Sequence, residues 1–133
     1  GKFRRQRQMC IRDSSWGVEE LSERLADRES LHAVIFSRLS QSLKIRSQQD
    51  AFAPTAQQTF VQGGKDHLIF LRSDDAQRVL IVASFSAQSL QIDWPKESIV
   101  LSDMTKDLLT GADHATAHHI ALAPHQVLWL ELG

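Results

Sequence analysis

The chain contains one cysteine, Cys10, among 133 residues, so no disulfide can close within it and nothing in it calls for an oxidising compartment. It has no apolar run near the roughly 18 residues needed to cross a bilayer, and its basic N-terminus is not followed by the apolar stretch of a signal peptide. The expectation is a cytoplasmic protein that neither spans a membrane nor carries a secretion signal. The motifs of several chemistries are also missing. There is no G-x-S-x-G elbow for a nucleophilic serine, and Ser84, Ser86 and Ser89 stand in or beside strand-like segments without a marked base. Neither a G-x-x-x-x-G-K-[ST] nor a G-x-G-x-x-G loop occurs, and Gly63-Gly64-Lys65 reads as a hairpin turn.

Charge is scarce in one sense and uneven in another. The formal net charge is −1, yet Lys2, Arg4, Arg5, Arg7 and Arg12 supply five of the fifteen basic residues. Residues 13–133 are left with ten basic against sixteen acidic groups, a net −6. That surface is a poor one for nucleic acid, and the basic head offers only Phe3 for stacking. The head itself, residues 1–14, resembles the translated sequencing-adapter read-through found at the ends of open reading frames assembled from shotgun data. These residues are expected to be disordered and are set aside from fold reasoning, and Cys10 loses with them any claim to be a reactive thiol.

With 42% hydrophobic residues, the remainder is long enough to build one real core. Ser14 and Ser15 precede Val18, Leu21 and Leu25, with Glu19 and Glu20 in the first turn. This predicts a short helix with a serine cap, ended by Asp27. From Ser30, the spacing of Leu31, Val34, Ile35, Leu39 and Leu43 predicts a second helix to about Arg46, with Arg38, Gln41 and Lys44 on its wet side and His32 at the surface. A stripe of that length must be buried against something, either the following β segments or a domain the chain does not contain.

Past Ala53-Pro54 the pattern changes to strands only. Thr59–Val61, His67–Arg72, Arg78–Phe85, Leu90 to Trp94 (stopped by Pro95), Ile99–Leu101, Ala117–Leu122 and Val127–Leu132 make about seven. Gly63-Gly64 and Asp74-Asp75 supply turn chemistry. Val79-Leu80-Ile81-Val82-Ala83 is apolar on both faces and reads as a central strand. The regular spacing points to an antiparallel sandwich or a small Greek-key pair of sheets.

Metal, acid/base and sugar-stacking chemistry each have candidates of low specificity. His118 and His119, adjacent in a strand, point to opposite faces, and His114, placed in a turn after Gly111, could join only one of them with Asp113. Asp103, Asp107 and Asp113 flank turns, where carboxylates usually serve capping bonds. Trp94 and Trp129 fit sheet packing better than sugar platforms. No catalytic, cofactor-binding or metal residue is assigned, and no cofactor is expected.

Leu43-Lys44-Ile45-Arg46, Ala51-Phe52-Ala53-Pro54, Phe70-Leu71-Arg72, Val79-Leu80-Ile81-Val82, Asp107-Leu108-Leu109-Thr110-Gly111 and Leu122 to Leu130 together resemble the C-terminal end of glycoside hydrolase family 13, the α-amylase superfamily. The likeness covers roughly residues 16–132 and is nearest to the sucrose phosphorylase and glucosylglycerate phosphorylase group. It implies a mainly β fold: residues 15–54 would be the last helical segment of a truncated α/β barrel, and residues 55–133 the antiparallel β-sandwich appended to it. Family members cleave α-glucosidic bonds with retention through two carboxylates, and the phosphorylases pass the glucosyl group to phosphate. Those carboxylates belong to earlier barrel strands, and none maps onto this chain.

The pattern departs from the family in three places. Ser84-Phe85-Ser86 replaces a frequent Asn-Phe-Ser, His125 stands where an aromatic residue is common, and the active-site loop expected before Trp16 is replaced by the adapter-like string. The resemblance implies an inactive fragment with a structural role, whose partner is the missing N-terminal barrel and whose glucoside and phosphate belong to the full-length enzyme only. A hydrolase of the same clan would differ only upstream. The alternative from another class is a freestanding β-sandwich module binding a glycan or a protein through Trp94 or Trp129. An uncovered apolar face on Leu31, Val34, Ile35 and Leu39 would favour the fragment.

Overall fold

A computed structural model describes residues 17–93, 99–117 and 119–133. The expectations for the basic head, the serine cap, Trp16, Trp94, Pro95 and His118 lie outside the described residues. The chain divides into two compact units, one ending at Gln41 and the other running from Ser42 to Gly133.

In the first unit, α1 spans Val18–Ala26 and α2 begins at Leu31, continuing as one helix to Ser47 in the second unit. The N-cap of α1 is Gly17, with no side-chain cap, and Asp27 closes the helix with its N–H on the Glu23 carbonyl. Arg24 and Glu20 form an exposed i, i+4 pair at 3.5 Å, worth about half a kcal/mol or less. Ser30 caps α2: its Oγ accepts the Ala33 N–H at 3.1 Å at the start of the helix, satisfying an otherwise orphan donor. Lys44 and Arg46 sit in its last turn, where positive charge is favoured. His32, expected at the surface, lies there half-buried.

The second unit is the β domain. A four-stranded antiparallel sheet has the order β1 (Gln57–Gly63), β2 (His67–Ser73), β3 (Arg78–Ser84), β8 (Val127–Glu131). Two antiparallel pairs complete the described strands: β4 (Leu90–Asp93) with β7 (His119–Leu122), and β5 (Met104–Lys106) with β6 (Asp113–Ala115). β3 lies between β2 and β8, and every residue from Val79 to Ser84 is buried, as an apolar run with no wet face requires. One face of the large sheet presents Ile69, Leu80, Val82, Leu128 and Leu130 to Ile92 of β4 and Ile120 and Leu122 of β7. These residues form the main core, each contributing about 1.5–3 kcal/mol on burial. On the opposite face Val79 and Ile81 are covered by Ala51, Phe52, Phe70, Leu108 and Trp129.

Two expectations are corrected here. Ile99-Val100-Leu101 is not a strand: Ile99 and Leu101 pack against the core and Val100 is 90% exposed. The segment supplies apolar cover without a ladder partner among the described residues. The pairing expected there occurs instead in β5 and β6, so His114 stands in a strand opposite Thr105 and not in a turn. Met104-Thr105-Lys106 and Asp113-His114-Ala115 carry little apolar alternation, which hides them from a periodicity argument. They are fixed by buried hydroxyls: Thr105 and Thr116 meet Oγ1 to Oγ1 at 2.8 Å, and Thr116 also donates to the Ser102 carbonyl.

Candidate functional site

The residues expected to bear chemistry are dispersed. His114 pairs with Thr105 across β5–β6, while His119 faces Asp93 across β4–β7. Among the described residues no three His, Cys, Asp or Glu side chains form a group able to hold a metal ion. The Ser84 Oγ accepts the Ser86 N–H and the Ser86 Oγ accepts the Gln88 N–H, so both are engaged in the turn after β3. Gly64 donates to the His67 carbonyl at 3.0 Å within the β1–β2 hairpin.

Asp107 is the most constrained carboxylate, fully buried. Its oxygens accept the Leu109 N–H and the Thr110 N–H, the Thr110 hydroxyl at 2.8 Å, and the Trp129 N–H of β8 at 2.8 Å. The Leu108 N–H in turn donates to the Trp129 carbonyl. Four donors satisfy the charge that burial would otherwise penalise. The group organises the loop and pins the β5–β6 hairpin to the edge of the large sheet, the capping role anticipated for carboxylates at turns. Gly111 closes this loop at φ +74°, a conformation other residues resist.

The built feature of the second unit is the linker after α2. Asp50–Phe52 forms a short 3₁₀ turn, and Ala51 is fully buried on the outer face of the large sheet. Arg72 of β2 donates from Nε to the Ala51 carbonyl at 3.2 Å and from a terminal guanidinium nitrogen to the Ala53 carbonyl at 2.8 Å. Gln77 accepts the Ala51 N–H and donates to the side chains of Gln49 and Glu131. Phe52 stacks obliquely on Trp129, ring centroids 4.8 Å apart at 51°. Trp129 is thereby half-buried in packing and is not a free sugar platform. From sequence, Arg72 stands out only as the end of the Phe70-Leu71-Arg72 motif, and nothing marks Gln77 or the contact of either residue with the linker.

The helix entering this linker is uncovered. Leu31, Ile35, Phe36, Leu39 and Leu43 are each more than half exposed, Val34, expected on the same uncovered face, is half-buried, and Ala33 is the one buried residue of α2. At 100° per residue the five exposed side chains fall within an arc about 140° wide, which His32, Ser42 and Arg46 share. A lone exposed leucine is ordinary, but five large apolar side chains exposed on one helix are not.

The sequence profile of the maltogenic amylase C-terminal domain matches residues 58–129, more than half of the chain. The chain belongs to the maltogenic amylase C-terminal domain family. Membership accounts for the strand-only pattern after Pro54 and places the β domain within the α-amylase superfamily, as the sequence resemblance implied. Among solved structures, AmyP in complex with maltose is 20% identical, with a TM-score of 0.67 over 76% of this chain and 21% of that one. The Anoxybacillus α-amylase is 9% identical, with a TM-score of 0.64 over 78% of this chain and 23% of its own. The trehalulose synthase MutB of Pseudomonas mesoacidophila MX-45 is 20% identical, with a TM-score of 0.59 over 84% of this chain and 19% of its own. At these identities the likeness is one of fold. The chain spans about a fifth of the length of these structures. No curated protein sequence matches it. No helix among the described residues is long and apolar enough to cross a membrane.

Proposed function

We propose that the chain is the supporting C-terminal part of an α-glucoside-acting enzyme of the α-amylase superfamily, with α2 as the last helix of its catalytic barrel and the sandwich bracing that helix through the clamped linker. The observation that carries this reading is the set of exposed large apolar side chains on α2, a helix that runs into a linker held to the sheet by Arg72 and Gln77. A helix carrying this many exposed large apolar side chains draws most of its stability from packing against another body. The chain's own contribution is mechanical: it fixes the barrel's terminal helix and supplies no catalytic group.

For the parent enzyme, the reading is retaining transfer of a glucosyl group from a sucrose-type glucoside to phosphate. It is supported by the sequence resemblance to the sucrose phosphorylase and glucosylglycerate phosphorylase group and by the fold shared with a trehalulose synthase solved with its substrate sucrose. A malto-oligosaccharide substrate is the second reading, favoured by the likeness to AmyP, solved with maltose and with maltotriose. A cytoplasmic setting fits phosphate as acceptor.

The test assays the purified 133-residue chain and the same chain extended by the coding sequence upstream of codon 15. The short chain is expected to release no glucose 1-phosphate from sucrose and phosphate and to show no saturable binding of sucrose or maltotriose in calorimetry. The extended chain is expected to carry out phosphorolysis with retention. Turnover by the short chain would overturn the supporting role, and tight glycan binding by it would favour a freestanding binding module.

A further inference from the structure

We draw no further inference here: the strongest candidate, the open edge of the four-stranded sheet along the uncharged strand β1 (Gln57–Gly63), which among the described residues has no ladder partner but β2, carries nothing because nothing in the structure shows what covers it.

Discussion

Asp107 shows what one side chain can hold. Asp107→Ala leaves the part-buried N–H groups of Leu109, Thr110 and Trp129 without their buried partner, and the expected loss is about 2–4 kcal/mol, measured by urea unfolding. Asp107→Asn should fall between, because its amide nitrogen turns a donor toward donors; equality with wild type would deny the carboxylate its organising role. Gly111→Ala, at φ +74°, should cost about 1–2 kcal/mol. His125 also has positive φ, 55°, so His125→Gly should change stability by no more than about 0.5 kcal/mol, relief of strain offsetting the lost chain stiffness. A hydrogen bond from His67 holds the Asp66 carboxyl below its ordinary range, with desolvation acting the other way. A depressed folded-state pKa stabilises above the unfolded value and ceases to do so as pH falls through the folded one. The advantage of wild type over Asp66→Asn should therefore be present at pH 6 and shrink once the pH drops below the ordinary carboxylate range, as read from unfolding midpoints across that window.

At the scale of elements, the junction between α2 and the sheet is fastened, not loose. Arg72 bridges two carbonyls of the linker and Gln77 holds Ala51 from the other side. Charge-assisted bonds of this kind contribute about 1.5–3 kcal/mol. Arg72→Met, which keeps the apolar stem and removes the donors, should speed hydrogen exchange of the amides from Asp50 to Ala53 by at least tenfold. Exchange in the β3 core should be little changed. Uniform acceleration across the domain would mean that Arg72 acts through global stability and not through the linker. The β5–β6 hairpin makes the complementary point: its strands hold by the Thr105–Thr116 hydroxyl contact and by Asp107, with little apolar burial.

Over the whole molecule, the described residues contain a well-packed β domain and a helix that exposes several large apolar side chains. The main core between the sheets closes on Ile69, Leu80, Val82, Leu128 and Leu130, whereas Leu31, Ile35, Phe36 and Leu39 remain open. Unfolding followed by fluorescence in a Trp16→Phe/Trp94→Phe variant, where Trp129 is the one tryptophan left, is therefore expected to occur at higher denaturant than loss of helical circular dichroism. A single coincident transition would mean that the helix is already stabilised by the chain itself.

How much of this was legible follows from the range of each interaction. The sequence by itself determined the change from helix to strands at Pro54, the central place of β3 and the turn chemistry of the Asp107 loop, because periodicity and turn propensity are local properties of a few consecutive residues. It misplaced a strand at Ile99–Leu101 and hid β5 and β6, since an apolar triplet suggests a strand whether or not a partner lies beside it. It could not reveal that Asp107 would reach the Trp129 N–H or that Arg72 would close on Ala51 and Ala53. Those contacts join residues far apart along the chain, and only the order β1-β2-β3-β8 and its register brought them together.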